Sequence, residues 1–394
     1  MLSAALDENT FEAETMQTTK ARALLYDSAP QINKIFIHLN IFSNGRRSLT
    51  WYIELGKAAD TLVNYVLKVK KGEDVLIYGD DVIDDAVLKA TASAVKSAGA
   101  TPTIVVYETR EISFSEPPRP LAAAMMDSDV TVEFSAKAIL YTQAQTNALK
   151  RNRAYICLTS LDREAMVRTI GWVNYPKMVE LGDKLAEMTT RADEIKVTSV
   201  SGTDFTAKIG GRKFENFGST ADKRKVIMLG GQTGGSPIEE TENGVLAFDG
   251  NVWPPDEIKS NIRTSIKCKV KKGIITEIAG DVEADILQRY LASFKDSNMY
   301  RIAHVCYGYH PMARVTGDIS EVERVWGCFQ VGWGTQGPLL RPDLGGAYGW
   351  RAASHDDGII LKASIYLDGE PVQKDGKFVH PELLKIIKEM GVEQ

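Results

Sequence analysis

The stretch "EDVLIYGDDVIDDAVLKATASAVKSAGATPTIVVYE", Glu73 to Glu108, decides the fold class. Its opening, "EDVLIYGDD", is a short apolar run of strand length closed by Gly and Asp. "DDAVLKATASAVKSAGA" has apolar residues at helical spacing and ends near Gly99, a favourable helix stop. "TPTIVVYE" is β-branched and strand-like again. The same alternation continues with "DVTVEFS" as a strand, "KAILYTQAQTNALKRN" (137–152) as a helix and "AYICLTS" as a strand. Strands alternating with helices predict a parallel sheet covered by helices. The turn "YGDDVIDD" lacks G-x-G-x-x-G, so no dinucleotide site is expected there.

From about Lys196 the pattern changes. "IKVTSVSGTDFTAKIGG" and "SIKCKVKKGIITEIAG" read as hairpins turning at Ser-Gly-Thr-Asp and Lys-Lys-Gly, and "VEADILQRYLASF" reads as a helix with a core stripe. The expected fold is therefore α/β. A doubly wound parallel-sheet domain over 1–195 would precede a mostly antiparallel β domain over 196–394, which carries the candidate metal site.

Composition excludes several classes. Of the 394 residues 44% are hydrophobic and 25% charged, with a formal net charge of −5, so no basic excess points to nucleic acid. No apolar run reaches membrane-spanning length. The start, "MLSAALDENTFEAETMQ", has no apolar signal region. Cys157, Cys268, Cys306 and Cys328 are widely spaced without Cys-x-x-Cys, which reads as reduced thiols. A cytoplasmic protein is expected.

A second stretch, "WRAASHDDGIILKASIYLDG" (350–369), raises the chemical question. Alternate residues from His355 run Asp357, Ile359, Leu361, Ala363, Ile365 and Leu367, a core-facing strand row headed by an imidazole and a carboxylate. A buried carboxylate needs a partner. Arg351 could supply it, and so could a metal. In "RIAHVCYG", His304 shares a strand face with Ile302 and Cys306, so it too projects from a buried segment. Two imidazoles and one carboxylate match the facial triad of non-haem Fe(II) oxygenases, and His₂-carboxylate sets also make catalytic zinc sites. The absence of H-E-x-x-H argues against the common zinc-protease helix. Cys306 reads as a small buried residue, His38 as a hydrogen-bonded strand histidine and His380 as solvent-exposed, while His310 stays open. The aromatic and Gly-rich stretch from Trp326 to Trp350 could wall a flat aromatic substrate, with Arg324 or Arg341 pairing an anionic oxygen, or be an irregular packed connection. "GGQTGGSP" (230–237) lacks the Gly-Lys-Ser/Thr ending of a phosphate loop.

The segments "VEADILQRYLASFKDSNMYRIAHVCYGYHPMAR" and "SHDDGIILKASIYLDG" resemble the 2,5-dihydroxypyridine 5,6-dioxygenases, with a weaker likeness through "SGTDFTAKIGG" and "SPIEETENGVLAFDG". That family shares its fold with the aminopeptidase T family of dinuclear metallopeptidases. The resemblance implies one iron held by His304, His355 and Asp357. Where the peptidases place further glutamates, this chain has Gln232 and Met299, which favours one metal over two. A histidine that acts as acid/base in the dioxygenases corresponds to Tyr141, a phenol whose ordinary pKa of about 10 makes it a poor base near neutrality.

The resemblance thus implies a mononuclear Fe(II) ring-cleaving dioxygenase acting on a hydroxylated N-heteroaromatic such as 2,5-dihydroxypyridine, with dioxygen as co-substrate. Tyr141 would move a proton, and Arg324, Gln232 and Trp333 would line the pocket. A homo-oligomer is expected by analogy with the family. The first alternative is an aminopeptidase with a zinc or cobalt pair, which would need carboxylates such as Glu239, Glu240 or Glu283. The second is a non-enzymatic binding protein on this fold.

Overall fold

The computed structural model describes residues 48–151, 153–219, 226–259, 262–345 and 347–394, and His38 lies outside them. Residues Glu54–Gln394 form one compact unit. Its parallel sheet has five strands in the order Thr101–Tyr107, Asp74–Asp80, Val130–Glu133, Ala154–Cys157 and Val226–Met228. Numbered along the chain this order is 2-1-3-4-5, that of a doubly wound sheet. The strand Val226–Met228 comes from beyond residue 195. Val75, Leu76, Ile77 and Tyr78 are all buried, as expected of a strand covered on both faces. The helix Asp85–Ser97 starts where the Asp84 side chain accepts from the Ala86 amide at 3.1 Å, and it buries Val87, Leu88, Thr91, Ala94 and Val95 as one stripe.

The helix expected over 137–152 is confined to Gln143–Lys150. Thr142 caps it by accepting from the Gln145 amide at 3.3 Å, and Tyr141 before the cap takes a left-handed φ of +65°. A local cap outweighs the apolar spacing of "AIL", and Tyr141 falls in a loop at the carboxyl edge of the parallel sheet.

Two antiparallel sheets accompany the parallel sheet among the described residues. One has eight strands and includes both expected hairpins, Glu194–Thr198 with Asp204–Lys208 and Ile266–Lys271 with Ile274–Ala279. The second hairpin turns at Lys272 and Gly273, both at positive φ, as a tight two-residue turn requires. The other sheet has six strands in the order Asn251–Trp253, Trp350–Ile360, Phe329–Gln336, Ile302–Gly308, Gln232–Gly235 and Glu215–Asn216.

The row from His355 to Leu367 is not one strand. Trp350–Ile360 belongs to the six-stranded sheet, Lys362 turns the chain at φ +47°, and Ser364–Leu367 joins the eight-stranded sheet beside Glu194–Thr198. From His355 to Ile360 both faces are buried, so Asp356 is as enclosed as Asp357. No described helix is long and apolar enough to cross a membrane.

Glu133 ends its strand with no exposure. The Ile139 amide donates to its Oε1 at 2.8 Å and the Tyr155 hydroxyl donates to its Oε2. Burial outweighs these bonds and pushes its carboxyl up to about 7 from an ordinary 4.5. Native Glu133 therefore keeps a proton that the unfolded chain releases above about 4.5. Its contribution to stability is full below that pH and is lost as the pH rises through about 7. In urea denaturation, wild type relative to Glu133→Gln is expected to lose about 3 kcal/mol between roughly pH 4 and pH 8. A pH-independent difference would show that this carboxyl ionises normally.

Candidate metal centre

Three neighbouring strands build the site. His304 lies on Ile302–Gly308, and His355 and Asp357 lie on Trp350–Ile360. Between them runs Phe329–Gln336, whose Gly332 pairs with both His304 and Asp357. Gly332 is the gap that lets the two side chains meet. A Cβ there would fall 2.1 Å from His304 Nε2 and 2.8 Å from Asp357 Oδ1.

The donor atoms converge. His304 Nε2 is 3.2 Å from His355 Nε2 and 3.1 Å from Asp357 Oδ1, and His355 Nε2 is 3.6 Å from Asp357 Oδ2. Donors about 2.1 Å from a shared ion sit roughly 3.0 Å apart in an octahedron and roughly 3.4 Å apart in a tetrahedron. The two spacings from His304 fall in that range, and the third, from His355 to the other Asp357 oxygen, is slightly longer, so a small closure of the cluster would seat one metal. His355 Nδ1 lies 2.7 Å from the Thr335 carbonyl, which can only accept. That bond puts the proton on Nδ1 and leaves Nε2 free as a ligand. Burial opposes the Asp357 charge, but His355 and His304 outweigh it and hold its carboxyl below the usual range. Burial also pushes the His355 imidazole down, against the pull of Asp357. Among the described residues this is the one group of three His, Cys, Asp or Glu that could hold an ion.

The three side chains open onto a cavity with about 70 Å³ for the centres of water-sized molecules. One water needs roughly 10–15 Å³ on that measure, so there is room for a small ring. Phe114, Leu140, Trp253, Leu339 and Leu340 give it apolar walls, with Gln232, Glu323, Gln330 and Tyr141 among them. The parallel sheet contributes Leu140 and Tyr141 after its third strand and Cys157 and Thr159 at the end of its fourth. This is the carboxyl edge, where such sheets bind ligands.

The structure thus brings His304, His355, Asp357, Tyr141 and Gln232 to one cavity. Tyr141 lies with its ring 6.3 Å from that of His355, and burial, reinforced by the charge of Asp357, keeps its phenol protonated. Arg324 and Trp333 do not line the cavity. Strand alternation puts Gln330 and Gly332 on the cavity side and Trp333 on the other, against Phe248 at 5.4 Å. Arg324 is buried behind the wall, donating to the carbonyls of Leu229 at 2.8 Å and Ser320 at 2.7 Å and pairing with Glu323.

The other sequence candidates lie elsewhere. Arg351 stacks on Tyr348 and Arg341 pairs with Glu239 and Asp343. His310 is buried, its Nε2 2.7 Å from the Thr169 carbonyl. Cys306 Sγ is 3.3 Å from His304 Nδ1, outside the donor cluster, and burial raises its thiol well above the usual range. Met299 Sδ accepts from the Ser354 amide. Glu239 is held by Arg212 and Arg341, and Glu240 lines a separate cleft.

Sequence reading missed Glu323, Gln330 and Gly332. Gln330 and Gly332 sit at period two in "FQVGWG", the signal that could have placed them on one face. Glu323 lies just past the short helix Ile319–Val322, where no periodicity points to the cavity.

Among the described residues, fold and site together define an α/β chain with antiparallel sheets and one buried His-His-Asp cluster, and the fold has solved relatives. The 2,5-dihydroxypyridine dioxygenase of Pseudomonas putida KT2440 superposes with a TM-score of 0.69 at 20% identity, over 84% of this chain and 99% of that one. AmpT from Thermus thermophilus does so with a TM-score of 0.60 at 15% identity, over 84% and 100%. These likenesses establish the fold. The family model of 2,5-dihydroxypyridine 5,6-dioxygenase, NicX, matches residues 63–380, and the chain belongs to that family. A 2,5-dihydroxypyridine 5,6-dioxygenase of Pseudomonas putida KT2440 is 30% identical over 156 residues, a match covering 37% of this chain and 42% of that protein.

Gly332→Ala is expected to weaken metal affinity by about ten- to a hundredfold or more, read by metal titration, because its methyl occupies the meeting point of the donors. Unchanged affinity in a folded variant would mean that the donors do not meet over Gly332.

Proposed function

We propose that this chain is a mononuclear non-haem Fe(II) dioxygenase that opens the ring of a hydroxylated N-heteroaromatic such as 2,5-dihydroxypyridine, with dioxygen as co-substrate. One observation carries the reading. In a chain of this family, the one three-donor group among the described residues heads a cavity of ring size. His304, His355 and Asp357 would hold the iron. Fe(II) held there would supply the electron exchange that lets triplet dioxygen react with a closed-shell ring.

The chain's own residues do the rest. Phe114, Leu140, Trp253 and Leu339 exclude water and take a flat ring between them. Tyr141, kept as a phenol, serves as a hydrogen-bond donor to a substrate oxygen rather than as a base. Thr335 fixes the ring of His355 through its carbonyl.

A paired-metal peptidase is the weaker reading. Gln232 turns its carboxamide onto Glu323 and Gln330, and Glu239 is already neutralised by two arginines. All four cysteines are free and buried, which supports a cytoplasmic location, and a homo-oligomer follows by analogy with the fold.

Iron-loaded protein is expected to consume dioxygen when given 2,5-dihydroxypyridine and to bleach the ring absorbance in equal amount. His355→Ala should fall to background in both. Ring loss without dioxygen uptake, or full activity in the variant, would contradict the assignment.

A further inference from the structure

Beyond Asp357, Glu323 is the only carboxylate on the cavity wall among the described residues, and it is not one of the three donors. It is 6% exposed and firmly held. Arg324 donates to its Oε1. Gln232 Nε2 and Gln330 Nε2 donate to its Oε2 at 3.0 and 2.7 Å. A carboxylate offers about four acceptor positions, so roughly one remains, on Oε1. Gln232, 2% exposed, has a second unused acceptor, because its Oε1 is buried without a hydrogen-bond partner. Both glutamines direct their N–H groups at Glu323. This part of the wall therefore presents spare acceptors, and its amide donors are already engaged.

We propose that Glu323, with the carboxamide oxygen of Gln232, accepts the ring N–H of a hydroxypyridine in its lactam form and so selects a nitrogen heterocycle over the carbocycle of the same shape. The inference rests on the reading of this cavity as the ring-cleavage site. In the lactam tautomer of 2,5-dihydroxypyridine the ring nitrogen carries a proton. Hydroquinone has the same two para oxygens and a C–H in that place. With hydroquinone bound, a desolvated carboxylate and a buried amide oxygen would face a group that cannot donate, and sites built around such a bond discriminate strongly. Arg324, Gln232 and Gln330 act as positioning residues that keep Glu323 fixed.

The test measures binding of 2,5-dihydroxypyridine and of hydroquinone to the iron-loaded full chain under nitrogen, by calorimetry, together with dioxygen uptake. Wild type, Glu323→Gln and Gln232→Leu are compared, each checked for iron content and melting temperature. Wild type should bind the pyridine at least about tenfold more tightly than hydroquinone. Each folded, iron-loaded variant should lower that ratio by about fivefold or more, through weaker binding of the pyridine, tighter binding of hydroquinone, or both. If Glu323→Gln does not fold, Gln232→Leu decides. If neither folds, the wild-type ratio decides, and a ratio near one overturns the proposal. Wild type that cleaves the pyridine while both variants keep its preference overturns this inference and leaves the ring-cleavage reading standing. Wild type that binds and oxidises neither compound overturns both.

Discussion

A carboxylate and two imidazoles meet in a largely buried place, and much of the structure is arranged around that meeting. Burying Asp357 alone would cost several kcal/mol. It is tolerable because His304 and His355 face it within 3.1 and 3.6 Å, and because a cation shared by all three would satisfy them together. Two strands of one sheet hold the donors with a third strand between them, so their spacing is fixed by hydrogen-bonded backbone rather than by loops. Gly332 is the residue without which that sheet could not bring them together.

The cavity in front of the donors is shared between two sheets. The antiparallel sheet supplies the donors, Gln232 and Gln330, and the carboxyl edge of the parallel sheet supplies Leu140, Tyr141, Cys157 and Thr159. A second buried ion pair braces the surroundings. Arg168 grips Glu321, which also accepts from the Arg314 amide at 2.6 Å, and so ties the chain before Glu323 to the helical turn Val167–Gly171. Two polar networks border the same cavity, one around Asp357 and one around Glu323.

Much of this was legible in the sequence, for physical reasons. Strand–helix alternation at 73–108 and tight-turn residues at 272–273 are local signals, and they placed the parallel sheet and a hairpin correctly. His355 and Asp357 stood out because a charge pair in an apolar row demands an explanation. What failed was whatever depended on three-dimensional neighbours. Apolar spacing ran the helix through Tyr141, where the Thr142 cap starts it later. The row from His355 to Leu367 looked continuous because periodicity does not register the left-handed turn at Lys362. Trp333 looked like a substrate wall because composition does not say which face of a strand a side chain takes. Glu323 gave no signal at all, since it follows a short helix without periodicity, and its partners Gln232 and Gln330 lie on two different strands.

The most direct test is the metal content of the full chain purified without oxygen, for wild type and for Asp357→Asn. About one iron per chain in wild type, lost in the variant while the fold is kept, is the expected result. Two zinc or cobalt ions per chain, or iron retained in full without the Asp357 carboxylate, would contradict a single ion held by these three side chains.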